Sequence, residues 1–315
     1  MNHTEQQQRT EQHDQALLAY QAETGAFYQL TSRQVRVLAD YIVANERQVQ
    51  YFERLKQRAE MQRFAPSCID VTSKYFDPIK AIIYLNKIDK AEALWLAFLV
   101  IHTGDSARSN WQYLKQLYHN HDDNRGQSQA LTWHNISQNP ALIDTWIDNN
   151  LSKESIKDSR FNFGKHRKYE SVKQMSAVMQ SYQDWLAKIG GIDGLLAIEA
   201  TSKHSVSPVR HTDSAMQRFA ALYRRLRIFR FGRLAKFEWL SLLGYTGVLD
   251  IKADHCYLTE ATGPKRGAKL LFGMRRDSDL ERLAIEVADA LAVDYAAFEA
   301  SLCHWQASPD YYMSH

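Results

Sequence analysis

Residues 221–258, ALYRRLRIFRFGRLAKFEWLSLLGYTGVLDIKADHCYL, decide how this chain is read. Five arginines (Arg224, Arg225, Arg227, Arg230 and Arg233) crowd around a Phe-Gly turn. An apolar helix follows, and then an acidic loop holding Asp250 and Asp254. Glycine beside arginine lets backbone N–H groups approach an anion, and a helix starting just after the turn presents its positive end there. Arg230, Gly232 and Arg233 are therefore the residues best placed to meet phosphate. Neighbouring residues on a helix diverge, so the five arginines cannot all share one face, and local ion pairing with Glu238 is the plain alternative.

Outward from this segment the apolar period is helical almost throughout. Thr31 and Gln34 form a capping box that opens a long amphipathic helix running toward Glu60. A short segment near Ala81 to Leu85 precedes the buried helix ALWLAFLVIHT, which Gly104 stops. Further helices are expected from Ser109 to His119, after Asn139-Pro140, through Met175 to Leu186, and after a cap at Asp213. The stripe Leu280, Leu283, Ala284, Val287, Ala288 marks another, and Asp294 starts the last. Residues 190–208 read as a connecting loop and 259–273 as a turn-rich segment. The only strand signal is at Val248 to Ile251. The expected class is all-α: a Gln-rich N-terminus disordered over residues 1–20, a helical extension over 21–90, and the main domain over 91–315.

With 315 residues, 45% hydrophobic and 24% charged, the chain can bury a sizeable core. A net charge of +3 is too small to argue for nucleic acid by itself, so that case rests on clustering. Cys68, Cys256 and Cys303 form no C-x-x-C pair, which argues against a disulfide framework, structural zinc or a four-Cys cluster. No apolar run reaches membrane-spanning length and the first residues lack a signal-peptide core, so a cytoplasmic protein without a membrane partner is expected. His119, His121, Asp122 and Asp123 lie in a polar loop without a second ligand pair and read as solvated, so no metal and no cofactor is expected.

A second basic group, Lys165, His166, Arg167 and Lys168, is interleaved with Phe161, Phe163 and Tyr169, and aromatics beside cations suit a base drawn out of its stack. A core anchor with a solvated turn is the alternative for those aromatics. Either Asp250 or Asp254 could serve as a loop cap.

These motifs carry a resemblance. FRFGRLAKFEWLSLLG (229–244) is similar to the helix-hairpin-helix of the DNA glycosylase superfamily, and IKADHCYL (251–258) to the loop that supplies its catalytic carboxylate. The likeness extends over residues 91–305. FGKHRKYES, ALYRRLRIFRFGRLAKFEWLSLLG and YLTEATGPKRGAKLLFG more closely resemble the alpha-glutamyl/putrescinyl thymine pyrophosphorylase family, associated with hypermodified phage bases. The resemblance implies a helix-hairpin-helix glycosylase-like fold, and an enzyme that flips a modified base out of double-stranded DNA and hydrolyses its N-glycosidic bond in defence against phage. A transferase acting on thymine in DNA and a non-catalytic DNA-binding protein are the alternatives. It implies Asp254 as the catalytic carboxylate, with Asp250 its rival. It places Lys265 and Arg266 on the backbone or modified base, and Tyr257, Glu260, His102 and Asp105 with Phe163 and Tyr169 around the base pocket. Leu234 stands where a Schiff-base lysine would be, which favours hydrolysis by water, with Lys236 as the residue to watch.

Overall fold

A computed structural model of the protein describes residues 2–61, 64–105, 111–119, 130–150, 163–164, 172–198 and 213–313. Among the described residues there are fifteen α-helices and no strand, so the chain is all-α. It divides into two compact units, one of Met1–Glu53, Ser202–Ala220 and Lys252–His315, the other of Arg54–Thr201 and Ala221–Ile251. Two of the four divisions fall inside helices, α2 (Ser32–Glu60) and α11 (Ser214–Arg225).

In the first unit the Gln-rich start, expected disordered, forms α1 (His3–Thr24). An Asn2/Glu5 capping box opens it and Gly25, at φ 61°, closes it. Its stability comes from partners that composition cannot show: Thr10, His13 and Leu17 are buried, and Arg9 Nη2 and His13 Nε2 reach the Glu46 carboxylate of α2 at 2.7 and 2.9 Å. Burial raises the Glu46 carboxyl, but the hydrogen bonds from His13 and Arg9 outweigh it and hold the group below its usual range. The expected capping box at α2 is present, with Thr31 N–H donating to Gln34 Oε1 (3.0 Å) and Gln34 N–H to Thr31 Oγ1 (3.2 Å).

The rest of this unit comprises the start of α11, as far as Ala220, with α13 (Gly263–Phe272), α14 (Asp277–Ala290) and α15 (Tyr295–Trp305). The expected turn-rich stretch is thus largely helix, because Pro264 sits in the first turn of α13, where a missing N–H costs nothing, and Gly273 at φ 80° ends it. Gly267 is where α13 meets α15: a Cβ there would collide with the Leu302 carbonyl.

The second unit is built around α5 (Lys90–Thr103), apolar on every side and buried from Glu92 to Val100. The helices α4 (Pro78–Ile88), α6 (Gln112–His119), α7 (Trp133–Gln138), α9 (Met175–Lys188) and α12 (Arg233–Tyr245) belong to the same unit. Its core is aromatic. Tyr182 packs on Phe98 (4.4 Å), Trp95 (5.3 Å) and Trp239 (6.0 Å), and Phe231 on Phe98 (5.3 Å). Glu92 is the charged exception: its carboxylate accepts the Trp133 N–H at 2.9 Å, satisfying the open start of α7, and burial pushes its carboxyl up. Three short helices were not anticipated, α3 (Pro66–Ile69), α7 and α10 (Gly191–Leu196), the last within the expected connecting loop. Val248–Ile251 forms no strand. Val248, Leu249 and Ile251 are buried, but Leu249 N–H returns to Leu243 O at 3.2 Å and the Ile251 carbonyl lies against Gly244, so no edge is left for sheet pairing.

Candidate functional site

The basic turn lies in the second unit. Helix α11 ends at Arg225, whose carbonyl accepts the Trp185 indole N–H at 3.0 Å. Buried Ile228 and Phe231 anchor the turn, and Phe231 N–H closes it onto Ile228 O at 3.1 Å. Phe229 N–H donates to Ser181 Oγ at 2.9 Å. Arg230 holds the left-handed region at φ 56° with its side chain exposed, a conformation a non-glycine residue adopts only when its surroundings impose it. Gly232 is extended (φ −71°, ψ −168°), and a Cβ on it would meet nothing within 4 Å. The fold therefore makes no steric demand for glycine there. The first turn of α12 has no side-chain cap. Arg233 covers the Phe237 ring at 4.7 Å, Lys236 stands 5.6 Å from the Tyr223 ring, and Leu234 is half-buried.

The acid lies in the first unit. Asp254 is 2% exposed, whereas Asp250, in the other unit, is exposed. Asp254 Oδ1 accepts the Tyr257 hydroxyl at 2.7 Å, and Tyr257 holds φ 53°, a strained value for an aromatic residue. The Tyr257 and His255 rings stack at 3.7 Å. His255 Nε2 lies 3.8 Å from Asp254 Oδ2, and Nδ1 lies 3.2 Å from Glu281 Oε1 and 3.0 Å from Tyr257 N. With its proton on Nδ1 the ring donates to Glu281. With the proton on Nε2 it faces Asp254 and Nδ1 accepts from Tyr257 N–H. Two buried carboxylates thus flank one imidazole.

Glu281 was missed from sequence. It is 5% exposed on α14 and fixes the loop by accepting Cys256 N–H at 2.7 Å and Leu258 N–H at 2.6 Å. Its signal was a carboxylate three and seven residues before Ala284 and Ala288, inside the apolar stripe, where an unpartnered charge is costly.

A family model described as alpha-glutamyl/putrescinyl thymine pyrophosphorylase clade 3 matches residues 33–315. The chain belongs to this alpha-glutamyl/putrescinyl thymine pyrophosphorylase family. Its name ties the family to an enzyme acting on modified thymine. No curated protein and no solved structure matches the chain.

Within this family member the remaining expected residues are dispersed. In the second unit His102 is 2% exposed and packed between the Phe98 ring (6.0 Å) and the Phe163 ring (5.7 Å), and Tyr113 also meets Phe163 edge-on at 5.0 Å. Gly164 N–H donates to Thr103 O at 2.8 Å, and a Cβ on Gly164 would strike the Asp105 carbonyl, so His102, Asp105 and Phe163 are neighbours through a close backbone approach. In the first unit Lys265 is paired with Asp277 at 2.8 Å, and Arg266 and Glu260 are exposed. Lys165, His166, Arg167, Lys168 and Tyr169 lie outside the described residues, as do His121, Asp122 and Asp123. No group of His, Cys, Asp and Glu among the described residues has the arrangement of a metal site, and no described helix is long and apolar enough to cross a membrane.

Proposed function

We propose that this protein is a monofunctional DNA glycosylase that hydrolyses the N-glycosidic bond of a modified base, presented by phage DNA, and leaves an abasic site. The observation that carries the reading is Asp254: a buried carboxylate held by a strained Tyr257 and flanked by a His255 that is itself held by Glu281. Breaking the C1′–N bond sends its electron pair to the departing base and builds positive charge on the sugar, which a carboxylate in a low-dielectric setting stabilises strongly. Water then adds at C1′, and the proton it gives up passes to Asp254 and on to the departing base, which leaves neutral. Burial and the strained partner favour Asp254 over the exposed Asp250 for this task. Arg230, the bare Gly232 and the uncapped start of α12 would hold backbone phosphate while the base is extruded. Leu234 at the Schiff-base position supports release by water without strand nicking.

The family's name favours a second reading, transfer of a group to an activated thymine with loss of pyrophosphate. Incubation with normal and modified-base duplexes, followed by hot alkali, separates the two. Alkali-dependent breaks only in modified DNA are expected. A gain of mass on the base without breaks supports the transferase, and retarded DNA with neither change supports a binding protein.

A further inference from the structure

Arg224, Arg225 and Arg227, which the hairpin does not use, line a groove of about 530 Å³ in the second unit together with Ser181, Asp184, Trp185 and Lys188. Consecutive arginines on a continuous helix would fan apart. Helix α11 stops at Arg225, so Arg227 lies on non-helical chain, and all three arginines line the same groove. The floor holds Trp185 and Ile198, 4% and 7% exposed, while Asp184, Lys188 and the three arginines at the rim are exposed. Four cations thus face one carboxylate, and Asp184 Oδ1 already accepts the Gln180 amide at 2.9 Å. One or two cations suffice to offset the negative end of α11. Three arginines and a lysine from α9 make the lining of the groove net positive, with Arg227 Nη1 also donating to Leu226 O at 3.0 Å.

Ser181 belongs to both features, lining the groove and accepting the Phe229 N–H of the hairpin turn. The groove therefore begins where the turn is held. Its exposed rim suits a chain passing through more than a small molecule enclosed within.

We infer that this groove is a second phosphate site, taking phosphodiesters of the DNA flank that leaves the hairpin turn. The inference rests on the DNA reading above. The test is binding of the full chain to a labelled, unmodified duplex between about 50 and 200 mM salt. Replacing Arg224, Arg225 and Arg227 together by Ala is expected to weaken binding roughly ten- to a hundredfold and to lower the slope of log affinity against log salt by about two. Melting should be preserved, and the triple Lys variant should regain most of the affinity, because a point charge suffices for phosphate. Lys188→Glu, on the other wall, should weaken binding several-fold, and it covers the case in which the triple Ala variant does not fold. An unchanged slope in folded variants would overturn the inference. If Arg230→Ala with Arg233→Ala weakens DNA binding while the groove variants do not, this inference alone falls. If the wild-type chain binds no DNA, the glycosylase reading falls with it.

Discussion

Glu92 apart, the two units treat charge in opposite ways. The second fills its centre with Trp95, Phe98, Tyr182 and Trp239 and keeps Arg224, Arg225, Arg227 and Arg230 outside. The first buries Asp254 and Glu281 beside His255. A buried carboxylate costs several kcal/mol unless it is paired and hydrogen-bonded, so a fold concerned only with stability gains nothing by placing two of them around one imidazole. The contrast teaches where to look for chemistry and where to look for grip. On the function proposed above, the polar cluster would serve the reaction, and the cationic turn and groove would hold a polyanion.

Substitutions in each unit should break this contrast differently. Trp95→Ala, at the centre of the aromatic core, is expected to cost about 3–5 kcal/mol, read as a fall in melting temperature. Asp254→Asn should leave melting nearly intact but slow base release about 100- to 1000-fold, while Asp250→Asn stays within a few-fold. Equal losses from both, in a single-turnover assay, would remove the distinction between them. Glu281→Gln keeps the side chain's shape but replaces one of its two acceptor oxygens with a donor, so it should destabilise the chain by about 1–3 kcal/mol in denaturant unfolding. It should also shift the pH profile of base release, which a residue that only supports the loop would not do. Arg230→Gly relieves the left-handed backbone, so its stability should change by less than about 1 kcal/mol while DNA affinity falls.

Acid titration sharpens the comparison at the smallest scale. The Glu46 carboxyl is lowered in the fold, so its stabilisation is present above the ordinary glutamate range and is lost as pH falls through the folded value. The Glu92 carboxyl is raised, so its contribution is greatest below that range and is lost as pH rises through the folded value. The melting advantage of wild type over Glu46→Gln should therefore shrink on acidification from neutral pH. Relative to Glu92→Gln, wild type should gain over the same interval. A common trend for both variants would contradict these opposite environments.

Much of the helical frame was legible in the sequence, because its signals are local: the Thr31/Gln34 box, Gly104 after an apolar run, Asp213 and Asp294 as caps. The misses have non-local causes. Helix α1 is secured by Glu46, more than thirty positions away, and Val248–Ile251 lost its strand character to Gly244 and Leu243. The candidate acid was found by motif, but its setting was not. Glu281 joins the loop only through folding, from 23 to 25 positions downstream, and the strain at Tyr257 has no sequence signature. The groove was not legible because Ser181, Trp185 and Lys188 of α9 meet Arg224, Arg225 and Arg227 only through folding.

The central claim is that Asp254 carries bond cleavage at a modified base. Mass spectrometry of duplex DNA containing modified thymine, after treatment with wild-type, Asp254→Asn or Asp250→Asn protein, addresses it directly. The account predicts free modified base and an abasic site with wild type and Asp250→Asn, and neither with Asp254→Asn. Base release undiminished in Asp254→Asn, or a heavier base still attached to its sugar, would contradict it.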